Sequence, residues 1–149
     1  MRVRLLLLAH ACASPLPNIV LLLSDDLGFA DVSFNPEHGP EVSTPHIDAL
    51  RANGTFFSNA YVTASICAPS RAGLMTGRYQ QRVGVFTDGE GSVGFDPRVP
   101  LLPAYLPRAY ASAAIGKWHL GFDGDAPGLA WHALNRGFTE AFTLSLIHI

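Results

Sequence analysis

The stretch SICAPSRAGLMTGRY, Ser65 to Tyr79, sets a cysteine two residues before a proline and four before an arginine. The chain has two cysteines, Cys12 and Cys67. Cys12 falls in the leader-like start MRVRLLLLAHACAS. There Arg2 and Arg4 give a positive end, Leu5 to Ala9 an apolar run and Ala11-Cys12-Ala13 a small-residue cleavage site. Removal of residues 1–13 leaves Cys67 as the one cysteine, and in an oxidising compartment a free thiol with no internal disulfide to make is a liability. Its presence calls for a chemical reason. Asp25 and Asp26 form a second group of interest. They end the apolar run NIVLLLSDD, at the C-terminal end of a strand, where open α/β sheets place their ligands. Adjacent residues on an extended strand face opposite sides, so both acids serve one site only if the chain turns there. A third group, Lys117-Trp118-His119, lies between Gly116 and Gly121 at the end of a small apolar strand.

The elements that must position these groups are legible in part. Asn18 to Asp26 reads as a strand buried on both faces, as in a parallel sheet, ended by Gly28. STPHIDALRANG predicts a helix with Thr44 at its N-cap, Pro45 at the first helical position, Ile47 and Leu50 on one face and Gly54 at the close. TFFSNAYV reads as an extended segment. PSRAGLMTGR predicts a short helix starting just after Cys67, with Pro69 near its first turn. FTDGEGSVGFDP, Phe86 to Pro97, is glycine-rich and reads as a surface loop, as does the chain from Phe122 onward.

Composition bounds the answer further. At 149 residues, 48% hydrophobic and 15% charged, the chain can hold one domain with a real core. A net charge of -2 with scattered Lys and Arg gives no footprint for nucleic acid or an anionic membrane. His10, Pro15, Pro17 and Asn18 interrupt the N-terminal apolar region before the roughly 20 residues of a membrane span.

The three groups together resemble the formylglycine-dependent sulfatases of the alkaline phosphatase superfamily. CAPSRAGLMTGR (Cys67 to Arg78) matches the family's C-x-P-S-R followed by T-G-R, GKWHLG (Gly116 to Gly121) its second motif, and PNIVLLLSDDLG (Pro17 to Gly28) its metal-binding first strand. Order and spacing agree from Pro17 to Thr143. The resemblance implies an α/β, alkaline-phosphatase-like fold, a mostly parallel sheet between helices, of which residues 14–143 are the N-terminal part. It implies that Cys67 is oxidised during secretion to formylglycine by a formylglycine-generating enzyme that reads C-x-P-x-R, with Cys67, Pro69 and Arg71 at those places. It implies that Asp25, Asp26 and matured Cys67 hold calcium, and that Arg71, Lys117 and His119 hold the formylglycine and the sulfate. The resemblance further implies that one hydroxyl of the hydrated aldehyde attacks sulfur as the substrate's alcohol leaves, and that the other gives its proton to His119 and expels sulfate as the aldehyde re-forms. Arg71 suits fixed anion clamping because it keeps its charge, and Lys117 is a point-charge donor. The start of a helix at position 67 would add backbone N–H groups for the anion. A periplasmic, extracellular or lysosomal location follows from the leader.

Alternatives remain at this level: a phosphonate or phosphate ester hydrolase of the same superfamily, or a non-catalytic relic that binds sulfated glycans. The family's further calcium ligands, a second lysine and an acid histidine lie downstream of the matched region, so the fragment is expected to be poorly folded and inactive by itself. Leu144 to Ile149, LSLIHI, equals the translation of a sequencing-adapter end and is expected to be a non-native tail. Asp123-Gly124-Asp125 lacks the further ligands of a calcium loop and reads as a turn; His38, His46 and His132 lack metal-ligand spacing. Asn53-Gly54-Thr55 is a glycosylation acceptor sequence that also closes the predicted helix.

Overall fold

The computed structural model describes residues 16–121 and 130–144, with the side chains of 91–93 and 144 set aside. The leader, the Asp123–Asp125 turn and residues 145–149 lie outside the described residues. The chain divides into two units, Met1–Asp48 and Ala49–Ile149.

In the first unit Leu16 to Ser24 forms no strand, and Val20 and Leu22 are 80% and 79% exposed. This corrects the expected buried strand. A strand is held by ladder partners, and no described strand pairs with this stretch. The following loop is organised by side chains. Ser33 and Thr44 exchange bonds, each backbone N–H donating to the other's hydroxyl at 2.9 and 2.8 Å. Both hydroxyls donate to the Asp48 carboxylate at 2.9 and 3.0 Å. Asn35, buried, donates to the Phe29 carbonyl at 2.7 Å and accepts from the Glu37 N–H at 2.9 Å.

Helix α1, Pro45–Asn53, begins and ends where Thr44-Pro45 and Gly54 predict. Ile47 and Leu50 remain 37% and 66% exposed, so burial does not fix this helix; Pro45 presets its first residue, and the Asp48 N–H opens it on the Thr44 carbonyl at 2.9 Å. Residues 55–62 are irregular with a turn at Ser58-Asn59, in place of a continuous extended segment.

Helix α2, Cys67–Thr76, closes on Gly77 at φ 64°, whose N–H donates to the Gly73 carbonyl at 3.0 Å. Helix α3, Asp88–Val93, occupies the stretch expected to be loop. Thr87 and Glu90 form a capping box there: the Thr87 N–H donates to the Glu90 carboxylate at 2.6 Å, and the Thr87 hydroxyl bonds to the same oxygen. These bonds, the hydroxyl's foremost, hold the exposed Glu90 carboxyl below its ordinary pKa. Local capping thus outweighs the two glycines that suggested a loop.

Strand β1, Ala113–Lys117, pairs in parallel with β2, Glu140–Leu144, with Ala113 opposite Glu140 and Lys117 opposite Leu144. Ala114 and Ala141 pack against the core, whereas Ile115 and Phe142, opposite one another, are 82% and 78% exposed. One face of this two-stranded sheet is therefore covered by described residues and the other is not. The core gathers Ala68 and Ala72 of α2 with Phe95, Leu101, Trp118, Leu120 and Phe138. Trp118 anchors it, donating through Nε1 to the Trp131 carbonyl at 3.0 Å and meeting Phe138 edge-on at 5.8 Å.

Gly121 has φ 114°, and a Cβ there would lie 2.1 Å from the Trp131 Cβ. In the full-length protein, Gly121→Ala is expected to cost about 2–4 kcal/mol through backbone strain and overpacking. Chemical denaturation checks this; an unchanged midpoint would show that Trp131 moves aside freely.

Candidate active site

Cys67 opens α2 rather than preceding it. Its N-cap, Ile66, is extended at φ -122° and ψ 158° and provides no side-chain acceptor, and Pro69 has no N–H. The Ser70 N–H donates to the Ile66 carbonyl at 3.1 Å and the Ser70 hydroxyl to the Cys67 carbonyl at 3.0 Å. The thiol of Cys67 is free and half-buried, and its Sγ marks where the reactive group of a matured residue would project.

The GKWHLG motif is positioned by its apolar members. Trp118 and Leu120 are 4% and 1% exposed and fasten the stretch into the core, and His119 between them is 4% exposed at φ 53°. Histidine is among the side chains enriched in this left-handed region. Lys117 is the half-buried last residue before that turn. Arg71, 8% exposed, donates through Nη1 to the Lys117 carbonyl, tying α2 to the end of β1 across 46 residues. The two motifs thus share one place.

Cys67 Sγ, a ring nitrogen of His119 and a carboxylate oxygen of Asp88 all lie within 4.8 Å of one another. Asp88 was not among the residues expected from the sequence. Its Oδ1 accepts the Ala68 N–H at 2.9 Å. That bond corrects one expectation: the Ala68 amide at the helix start already has an acceptor in the chain, so it is not on offer to an anion. The T-x-x-E capping box at Thr87 was the available signal, since it puts Asp88 in the first turn of a helix.

Asp25 and Asp26 lie in the first unit, exposed, at a bend in the chain where their connecting peptide is cis. The required turn is present. As two adjacent hard oxygen donors they fit part of a calcium shell of six to eight oxygens, whereas the sulfur, nitrogen and oxygen of the Cys67 cluster do not. His38 and His132 serve local turns, through the Gly39 carbonyl at 2.7 Å and the Leu134 N–H at 3.3 Å. No described helix is long and apolar enough to cross a membrane.

Comparison with known proteins identifies the family. The family model described as Sulfatase matches residues 17–148. The chain is 39% identical over 147 residues to N-acetylgalactosamine-6-sulfatase of Mus musculus, covering 91% of this chain and 27% of the relative. It is 40% identical over 117 residues to arylsulfatase A of Bos taurus, covering 74% and 22%. It is 41% identical over 109 residues to the N-acetylgalactosamine-6-O-sulfatase of Bacteroides thetaiotaomicron, covering 70% and 21%. The crystal structure of Ps i-CgsB superposes with a TM-score of 0.70 at 42% identity, over 85% of this chain and 28% of that one. The same protein in complex with k-i-k-neocarrahexaose matches with a TM-score of 0.66 at 40% identity, over 80% and 26%. The chain spans about a quarter of the length of the relatives it matches. The fold class is α/β and alkaline-phosphatase-like, as the motifs imply. With its two motifs joined through Arg71 and a family model matching nearly its whole described length, the chain belongs to the sulfatase family.

Proposed function

We propose that the full-length protein hydrolyses sulfate monoesters of a carbohydrate or other small molecule, using formylglycine made from Cys67 and a calcium ion. The observation that carries this is the convergence of Cys67 and His119 at the start of α2, with Arg71 fixed beside Lys117. Formylglycine supplies, as its hydrate, an oxygen nucleophile that can later release sulfate by restoring the aldehyde. Calcium would be held by Asp25, Asp26 and the oxygen of matured position 67 together with further ligands, and would supply positive charge that lowers the nucleophile's pKa and draws charge from the sulfate.

The chain's own residues do the rest. Arg71, held by its bond to the Lys117 carbonyl one helical turn from position 67, sets a positive field there. Lys117 donates to a sulfate oxygen. His119, rigidly held between two core residues, exchanges a proton with a hydroxyl at position 67. A sulfated carbohydrate substrate is supported by the relatives' names and by the k-i-k-neocarrahexaose of the Ps i-CgsB complex. Residues 1–13 would direct the chain into the secretory pathway, to the periplasm, the exterior or a lysosome, where a formylglycine-generating enzyme acts on Cys67. Residues 14–143 by themselves are expected to be inactive, since the remaining metal ligands and the acid histidine come from downstream.

The test is sulfate release by the full-length protein co-expressed with a formylglycine-generating enzyme. Aryl and galactosyl sulfates should be hydrolysed, with EGTA lowering the rate by about tenfold or more and added calcium restoring it. Preference for a phosphonate ester would favour the phosphonate hydrolase reading. Glycan binding that survives loss of Asp25 and Cys67, without turnover, would favour the relic.

A further inference from the structure

We infer that Asp88 is a positioning residue for position 67, acting as a cap for α2 from outside that helix. The first turn of a helix leaves N–H groups without intrahelical partners, ordinarily met by a Ser, Thr, Asp or Asn at the N-cap. In α2 the N-cap is Ile66, which cannot accept, and the third residue is Pro69, which cannot donate. The family motif therefore starts this helix with no cap of its own. The Asp88 carboxylate meets that need from 20 residues away, with Oδ1 2.9 Å from the Ala68 nitrogen.

Asp88 is itself held in place. It is the first residue of α3, directly after Thr87, whose N–H and hydroxyl both bond to Glu90. Its side chain is half-buried, and one of its carboxylate oxygens lies within 4.8 Å of both Cys67 Sγ and a His119 ring nitrogen. Loss of the carboxylate would leave the Ala68 N–H without its acceptor in the turn that aims position 67. A small misalignment of a reacting group is costly to rate and nearly without effect on substrate affinity.

The experiment compares Asp88→Ala with Asp88→Asn in the full-length protein, with rates normalised to the aldehyde content at position 67. Asparagine keeps an acceptor oxygen at the same place and removes the charge. Because Asn before Gly89 is prone to deamidation, the mass of that peptide is checked in each preparation. Asp88→Ala is expected to lower kcat by about 10–100-fold with little change in KM. Asp88→Asn is expected to recover most of the loss. Amide hydrogen exchange at the start of α2 should quicken in the alanine variant and not in the asparagine variant. An alanine variant within about twofold of wild type, or an asparagine variant as impaired as alanine, would overturn the inference. The kinetic part rests on the sulfate-ester reading, but the exchange part does not. If the wild-type protein hydrolyses no sulfate ester, that reading fails, and unchanged exchange at Ala68 would still overturn the role of Asp88.

Discussion

Replacing Cys67 by serine in the full-length protein is expected to abolish steady-state sulfate release, by about 10³-fold or more, while leaving the fold intact. Cys67 is half-buried at a helix start rather than packed in the core, so its loss removes little apolar contact. Serine keeps an oxygen at the place of attack but has one hydroxyl where the hydrated aldehyde has two. It can accept sulfate once and has no second hydroxyl to expel it. The expected signature is at most one equivalent of alcohol released per protein, with sulfate retained on the serine-containing peptide. Cys67→Ala should show no burst at all. Sustained multiple turnover by Cys67→Ser would show that the chemistry does not run through an aldehyde.

Trp118→Ala is expected to destabilise the full-length protein by about 3–5 kcal/mol. The indole is 4% exposed, meets Phe138 edge-on and bonds to the Trp131 carbonyl at 3.0 Å. Alanine would leave a cavity, remove an aromatic pair worth about 1 kcal/mol and leave that carbonyl without its indole donor. The effect should reach the site, because Trp118 sits between Lys117 and His119. Trp118→Phe should lose about 1–3 kcal/mol, keeping the ring without the donor. Denaturant midpoints for the pair separate packing from hydrogen bonding. A midpoint for Trp118→Ala within error of wild type would contradict the anchoring role.

Much of the frame was legible because local chemistry fixes it. Thr44-Pro45 and Gly54 mark the ends of α1, and Pro69 marks the first turn of α2, although that turn takes its cap from Asp88, 20 residues away. Strand β1 was legible from its small apolar run. The stretch Asn18 to Asp26 was misread for the opposite reason: a continuous apolar run indicates a strand buried on both faces, but the ladder must come from a partner, and no described strand supplies it. Helix α3 was missed because Gly89 and Gly91 were weighted above the Thr87–Glu90 box. Within the site, Cys67, Arg71, Lys117 and His119 were legible through motif resemblance, which gives their identity but not their contacts. The bond from Arg71 to the Lys117 carbonyl and the one from Ala68 to Asp88 join residues 46 and 20 positions apart, and no local pattern encodes such distances. Asp25 and Asp26 showed the required bend, while their shared calcium remains part of the proposed function.

The central claim is that Cys67 is not a cysteine in the working protein. Mass spectrometry of the tryptic peptide Ala52 to Arg71, from full-length protein co-expressed with a formylglycine-generating enzyme, tests it most directly. The account predicts loss of the thiol sulfur and gain of an aldehyde oxygen at position 67, trapped by a hydrazine reagent. An unmodified thiol there, with a known sulfatase converted in the same cells, would contradict it and leave the glycan-binding relic as the better description.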